Sequence, residues 1–165
     1  MIKFKTLKWK NFLSTGNIYT ELDLCKNPST LVIGDNGAGK STFLDALSFA
    51  LYSKPFRKVS KGQLVNSINK RDMRVELTFD IGSHKYKIIR GTKPNIFEIW
   101  QNGKMINQEA NARDYQDYLE KHIIKLSHKA FSQVVVLGST SFVPFMQLNS
   151  MNRREVIEDL LDLQI

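Results

Sequence analysis

The glycine-rich segment at residues 34–41 constrains this sequence more than any other feature. It reads Gly-Asp-Asn-Gly-Ala-Gly-Lys-Ser and fits the pattern G-x-x-x-x-G-K-[ST] at every fixed position. An apolar run at residues 30–33 precedes it, and apolar residues recur at helical spacing from Ser41 onward. The sequence therefore predicts a buried strand, a glycine loop and a helix in direct succession, which is the context that this motif requires.

Such a loop predicts a site for the phosphates of ATP or a similar nucleotide together with Mg²⁺. Glycines let the backbone curl so that its N–H groups point inward, and the helix N-terminus adds partial positive charge. Lys40 is predicted to reach the β- and γ-phosphates, Ser41 to ligate Mg²⁺ and Thr42 to donate to an α-phosphate oxygen. The predicted cofactor-binding residues of the loop are Asn36, Gly37, Ala38, Gly39, Lys40, Ser41 and Thr42.

The rest of the sequence predicts an α/β fold with a largely antiparallel sheet. Alternating or apolar patterns predict strands at residues 2–12, 18–24, 75–81, 85–90, 97–100 and 131–137. Glycine-containing turns separate the strands between residues 75 and 100, so these strands form an antiparallel meander. Apolar residues at helical spacing predict helices at residues 41–52, at 112–126 and from 152 onward.

The composition is basic and bears on possible partners. Lysine and arginine outnumber aspartate and glutamate by 24 to 16, which gives a formal net charge of +8 and suits a polyanionic partner. Seven basic residues lie in or beside the polar connection after the first helix: Lys54, Arg57, Lys58, Lys61, Lys70, Arg71 and Arg74. They either contact a DNA backbone or form a solvated loop, and both interpretations stay open.

Cellular location follows from two further features. Cys25 is the single cysteine, which excludes an internal disulfide and predicts a reducing compartment. The N-terminus lacks the apolar run of a signal peptide, and no stretch reaches the ~18 apolar residues of a membrane span. We therefore expect a soluble cytoplasmic protein with no membrane partner.

Residues 69–72 match a second nucleotide-binding pattern. They read Asn-Lys-Arg-Asp, and guanine-specific GTPases use N-K-x-D to recognise the base. In those proteins the pattern follows a buried strand far downstream of the P-loop, whereas here it lies in a polar connection close to it. The chain also contains no D-x-x-G. We interpret the match as chance.

One element of a complete ATPase site is missing from the sequence patterns. Hydrolysis at a P-loop normally needs an acidic residue at the end of a buried strand. The predicted strand at 75–81 contains Asp80, but it belongs to the meander, and the one at 131–137 is followed by Gly-Ser. We therefore expect polypeptide outside this sequence to supply the catalytic acid. The apolar stripe that begins at residue 152 still continues at Ile165, which predicts a longer protein.

Several blocks of sequence, in their order along the chain, are similar to a known family. They lie at residues 10–12, 31–47, 54–57, 62–67, 133–138, 144–146, 153–154 and 158–161. Together they resemble the N-terminal lobe of the SbcC-type DNA-repair ATPases, relatives of the structural-maintenance-of-chromosomes proteins, and especially the phage-encoded members. The resemblance implies an α/β fold, namely a P-loop ABC-type ATPase N-terminal lobe with an antiparallel β-meander that ends in the start of a coiled-coil helix.

The resemblance also implies an organisation and partners. Residues 1–150 would be the N-terminal lobe of a split ATPase head, and residues 151–165 the root of a coiled coil. A C-terminal lobe of the same protein would complete the head, and two heads would form a homodimer around two ATP molecules. Double-stranded DNA and an SbcD-type nuclease subunit would be the other partners. The implied activity is ATP hydrolysis within an exonuclease or endonuclease complex that processes DNA breaks, in the host cytoplasm if the chain is phage-encoded.

Three site residues come from the resemblance alone. Ser14 would lie near the phosphates, although Leu13 stands where relatives often have a basic residue, and Val65 would flank the nucleoside. Ser139 stands where the family has a glutamine that helps bind Mg²⁺ and the attacking water. Either Ser139 ligates Mg²⁺ weakly, through water, or the γ-phosphate is sensed differently. Two functions stay open: an ATPase lobe of a DNA-processing complex, and a nucleotide-dependent DNA-binding clamp with negligible hydrolysis.

Overall fold

A computed structural model describes residues 2–57, 59–106, 112–135 and 145–161. The chain divides into two compact units, residues 1–107 and 108–165. None of the helices among the described residues combines the length and the apolar character needed to cross a membrane.

The first unit is built on one antiparallel sheet with the strand order β2-β1-β3-β4-β5-β6. Its strands are β1 (Ile2–Lys10), β2 (Thr20–Asp23), β3 (Met73–Ile81), β4 (His84–Thr92), β5 (Ile96–Gln101) and β6 (Lys104–Met105). Gly82 and the pair Asn102-Gly103 adopt positive φ angles of 59°, 50° and 80° and close the hairpins. The predicted meander is confirmed, and β2 is shorter than predicted.

Helix α1 (Thr42–Tyr52) packs on one face of this sheet. Alternate residues of β3 point toward it, and Val75, Leu77 and Phe79 are fully or almost fully buried. On the helix, Phe49 is 1% exposed and lies against the Phe12 ring, with 5.8 Å between centroids. Each such side chain contributes about 1.5–3 kcal/mol by burial, so this contact fixes the helix against the chain that follows β1.

A buried arginine secures the C-terminal end of α1. Arg90, on β4, is 4% exposed and donates its Nε–H to the carbonyl of Ala50 at 2.6 Å. Its guanidinium also lies 3.6 Å from the centroid of the Phe97 ring. The last carbonyls of a helix lack partners within the helix and carry partial negative charge, which the arginine satisfies.

The opposite face of the sheet pairs its charges across neighbouring strands. Ion pairs join Lys8 to Glu21 at 3.0 Å, Lys87 to Glu76 at 2.9 Å, and Lys5 to Asp80 at 3.4 Å. These residues alternate with the buried positions, as a sheet with one solvated face requires.

The second unit is helical. It contains α2 (Ala112–Tyr118), which continues as a π-helical turn (Leu119–Ile124), then α3 (His128–Val134) and α4 (Ser150–Leu161). Phe131 and Val156 are each 1% exposed, and Lys129 of α3 forms an ion pair with Glu155 of α4. The helix predicted at 112–126 is confirmed as far as residue 124, and the helix predicted from residue 152 begins at Ser150.

Two predicted strands are wrong. Residues 30–33 are not in a strand, and Leu31 and Ile33 are 82% and 83% exposed. Their apolar, β-branched sequence predicted burial, but a strand needs a neighbour, and none of the described strands pairs with them.

The strand predicted at residues 131–137 is instead the helix α3 as far as Val134. Ser127 caps this helix, since its hydroxyl accepts the N–H of Ala130 at 3.2 Å. The helix ends at Val134, where the β-branched run begins, so the branched residues oppose it only at its last position. Residues 136 and 137 lie outside the described residues.

Candidate nucleotide-binding cleft

The loop between residues 34 and 41 has the backbone conformation that its glycines permit. Gly37 and Gly39 have φ angles of +87° and +88°, in the region that other residues rarely adopt. A Cβ on Gly39 would also lie 3.4 Å from Thr42 Oγ1 and 3.9 Å from Ser14 Oγ. The loop thus turns tightly into α1 and passes close to Ser14.

Lys40 is held by its own loop. Its ammonium group donates to the carbonyl oxygens of Gly34 at 2.6 Å and Asp35 at 2.8 Å. Both partners are neutral, so phosphate oxygens would compete for this cation with the advantage of a full opposite charge.

Ser41 immediately precedes α1, and its hydroxyl is not used to cap the helix. It is exposed, whereas the neighbouring Thr42 is 3% exposed and donates its N–H to Gly39 at 2.9 Å. In the described part of the chain, no group of three or more histidine, cysteine or acidic residues is arranged to hold a metal. Mg²⁺ commonly takes few protein ligands and completes its coordination with phosphate and water. The single hydroxyl of Ser41 fits that pattern.

A cleft of ≈ 580 Å³ opens beside the loop. Its lining residues are Leu13, Ser14, Asn36, Gly37, Gly39, Lys40, Ser41, Thr42, Arg57, Gln63, Val65 and Ser67. The volume is within the range of ligand pockets, roughly 300–1,000 Å³. Ser14 and Val65, named from distant parts of the sequence, thus lie in the same cleft as the loop. Ala38 does not line the cleft, and Ser139 lies outside the described residues.

Arg57, Gln63 and Ser67 line the cleft but were not among the predicted site residues. Arg57 is aligned by Asp45 of α1, and the Asp45 side chain is 2% exposed. The Nε of Arg57 lies 2.5 Å from Asp45 Oδ2, and the backbone N–H of Arg57 donates to Asp45 Oδ1 at 3.1 Å. The basic composition drew attention to Arg57, but the sequence could not show that a buried carboxylate one helical turn beyond the P-loop holds it there.

The basic residues of the connection serve different parts of the structure. Lys61 lies over the Phe49 ring at 6.0 Å, and burial, followed by the nearby Arg90 cation, lowers the pKa of Lys61. Lys70 and Arg71 are exposed just before β3, and Lys58 lies outside the described residues. Arg57 and Lys61 thus have partners within this chain, and DNA contacts by the basic residues stay a prediction.

The sheet, the helix and the glycine loop define a P-loop ATPase domain, and the family model described as "AAA domain" matches residues 6–165. The chain belongs to this family, as an SbcC/Rad50-like N-terminal ATPase lobe.

Among its relatives, "Exonuclease subunit 2" of Enterobacteria phage T4 is 45% identical over 161 residues, covering 98% of this chain and 29% of the relative. "DNA double-strand break repair Rad50 ATPase" of Thermoplasma volcanium is 26% identical over 163 residues, 95% of this chain and 17% of the relative. The chain thus spans less than a third of the length of the curated relatives it matches.

The fold is also similar to that of a solved structure described as "Structural biochemistry of ATP-driven dimerization and DNA stimulated activation of SMC ATPases". That likeness has a TM-score of 0.65 at 21% identity and covers 96% of this chain and 99% of the other. The predicted fold of an ATPase N-terminal lobe is confirmed.

Proposed function

We propose that this chain is the ATP-binding lobe of an ATPase that processes DNA double-strand breaks, dimerises on ATP and regulates a partner nuclease in recombination and repair. The observation that carries the proposal is the cleft, in which Ser14 and Val65 meet the P-loop. The phage and Rad50 relatives support the role in DNA processing.

In this proposal the P-loop residues bind the nucleotide phosphates. Lys40 exchanges the carbonyls of Gly34 and Asp35 for phosphate oxygens, and the N-terminus of α1 adds its partial positive charge. Ser41 supplies the hydroxyl ligand for Mg²⁺, which neutralises phosphate charge when it is bound. Arg57, aligned by Asp45, adds a second cation to the cleft.

We propose that a C-terminal lobe of the same protein completes the head and supplies the catalytic acid. Two observations support this. The apolar residues directly before the P-loop are exposed, with Leu31 at 82%, Val32 at 43% and Ile33 at 83%. The related T4 protein is also more than three times as long as the matched region. A strand added beside residues 30–33 would bury these side chains and pair their backbone.

The other partners are a second copy of the head, an SbcD-type nuclease subunit and double-stranded DNA. We assign residues 1–150 to the lobe and 151–165 to the root of a coiled coil, where the nuclease docks. Exposed Lys70 and Arg71 are the candidates for DNA backbone contacts. The phage relatives favour the host cytoplasm, as does the single Cys25.

A nucleotide-dependent clamp with negligible hydrolysis is the second candidate. Ser139 favours it, because the resemblance places a glutamine at this position to help bind Mg²⁺ and the attacking water. Ser139 stays a prediction for a weak Mg²⁺ ligand in the first function.

ATP turnover by the intact protein with its nuclease and DNA separates the two functions. The first predicts DNA-dependent turnover that Lys40→Ala abolishes, with Lys104→Ala, on β6, as a matched control that keeps it. Nucleotide binding without turnover in the wild type would favour the clamp. No binding of ATP with Mg²⁺ would contradict both functions.

A further inference from the structure

Two segments that are far apart in sequence are neighbours in the structure and line the same cleft. Ser14 belongs to the loop at residues 11–17, and Val65 follows a short 3₁₀ turn (Lys61–Leu64). The backbone contact between them is small: Leu13 N–H donates to Leu64 O at 2.6 Å, and Asn66 N–H donates to Asn11 O at 2.8 Å. Side chains supply the rest of the connection.

Asn66 joins the two segments through its buried amide. It is 6% exposed, and its Nδ2 donates to the carbonyls of Leu13 and Thr15, both at 3.1 Å. Its Oδ1 accepts the N–H groups of Ile68 at 3.0 Å and Asn69 at 2.9 Å. The amide therefore uses two N–H donors toward one segment and its oxygen toward the other, whereas a carboxylate has no proton to donate and a hydroxyl has only one.

Asn11 performs the same task at the start of the loop. It is 1% exposed, and its Nδ2 donates to Asn17 Oδ1 at 2.9 Å and to Asp72 O at 3.1 Å. Its Oδ1 accepts from Asn69 Nδ2 at 2.7 Å. Asp72 is in turn ion-paired with Lys10, and the hydrogen bond from Lys10 lowers the pKa of the Asp72 carboxyl. The Asn-Lys-Arg-Asp segment thus has a structural place beside the loop.

The loop needs such support because its backbone is strained. Asn11 and Leu13 have φ angles of 51° and 53°, and leucine rarely adopts this region. A strained residue persists only where its surroundings hold it. The carbonyl of Leu13 is held by Asn66, and the next residue is Ser14.

We propose that Asn11 and Asn66 are positioning residues that hold Ser14 and Val65 at the separation the nucleotide requires. This rests on the proposed nucleotide site. The two asparagines do not line the cleft themselves, so they act on the nucleotide through the two segments that they join.

Asn66→Ser tests the proposal in the intact protein. A serine hydroxyl can still accept an N–H from its own turn, but it is too short to reach the carbonyls of Leu13 and Thr15. We expect the affinity for the fluorescent analogue mant-ATP with Mg²⁺ to fall about tenfold, because without these two hydrogen bonds the loop would be in its binding conformation only about a tenth of the time. Asn102→Ser, in the β5–β6 turn, is the matched control and should change the affinity less than about twofold.

Two further variants guard against general destabilisation. Asn69→Ala removes only one link to Asn11 and should weaken binding about two- to fivefold. Ser14→Ala should weaken binding when it is made in the wild type. In the Asn66→Ser background the same change should lower the logarithm of the affinity by less than about half as much, because Ser14 is already misplaced there.

Equal affinities of Asn66→Ser and Asn102→Ser at equal folded fractions would overturn the proposal, as would additive losses in the double variant. If the wild type fails to bind mant-ATP, the proposed function itself is wrong. The two failures are therefore distinguishable.

Discussion

The segments on the two sides of the P-loop differ in how far this chain buries their apolar side chains. After the loop, α1 is packed into the core, with Ala46, Phe49 and Leu51 at 0%, 1% and 0% exposure. Before the loop, Leu31 and Ile33 are 82% and 83% exposed although they are equally apolar. The helical side finds its partners in the antiparallel sheet of the same chain. The other side presents an apolar edge that another polypeptide segment could cover.

Truncating one apolar residue on each side of the P-loop should give very different losses of stability. Phe49→Ala should lower the free energy of unfolding by about 3–5 kcal/mol, because it leaves a cavity beneath Phe12. Ile33→Ala should change it by no more than about 0.5 kcal/mol, because little of its surface is buried in this chain. Urea denaturation of the 165-residue chain measures both. Similar losses for the two variants would contradict the comparison.

The next effect concerns the far end of α1. Arg90→Met should lower the free energy of unfolding by about 2–4 kcal/mol, because the carbonyls of Ala50 and Leu51 lose a charged donor in a buried place. Lys85→Met, an exposed change on the same strand, is the control and should cost less than about 0.5 kcal/mol. An unchanged free energy of unfolding in Arg90→Met would show that packing alone holds the helix.

A charge on the exposed side should separate function from stability. Ile33→Asp should leave the unfolding free energy of this chain within about 0.5 kcal/mol. In the intact protein, the same variant should reduce ATP turnover at least about tenfold, because a carboxylate would be buried against the partner lobe. Ile18→Asp, at 86% exposure on another loop, is the matched control. Equal turnover in the two variants would argue against a partner at residues 30–33.

The smallest effect lies on the solvated face of the sheet and depends on pH. Burial alone would raise the pKa of Glu76, but Lys87, Tyr19 and Arg74 hold it below its ordinary value. The stabilisation is therefore present above the ordinary carboxyl range and is lost as pH falls through the folded pKa. Glu76→Gln should flatten the acid limb of a stability–pH curve by about 1 kcal/mol or less. An unchanged acid limb would show that Glu76 does not contribute to the pH dependence of stability.

Tyr19 makes stability depend on pH in the opposite direction, because its contribution is lost as pH rises. Burial and the Glu76 carboxylate raise the pKa of Tyr19 to about 12 from 10.0, so its contribution is present below pH 10 and is lost as pH rises through about 12. Tyr19→Phe should remove that part of the alkaline loss in the same series of unfolding curves.

Much of the first unit could be predicted because its signals are local. The spacing of Gly34, Lys40 and Ser41 identifies the loop, and alternation with turn glycines identifies the meander. The exposure of residues 30–33 could not be predicted, because an apolar run predicts burial without naming the neighbour that provides it. The strand predicted at residues 131–137 rested on the branched run that begins at Val134, whereas residues 131–134 form the end of a helix that Ser127 caps.

The missed parts of the site depend on contacts between distant residues. Asp45 holds Arg57 across 12 positions, and Asn66 reaches Leu13 across 53. A single sequence shows such residues only as a helix position and a loop asparagine. The sequence resemblance did name Ser14 and Val65, and the structure places both in the cleft, whereas their binding roles stay predictions.

ATP turnover by residues 1–165 alone, compared with the intact protein under the same conditions, shows whether this lobe is half of a split active site. If this lobe is half of a split active site, the lobe alone should bind nucleotide weakly and hydrolyse almost none, while the intact protein turns ATP over in a Lys40-dependent manner. Robust hydrolysis by the 165 residues alone would contradict the account.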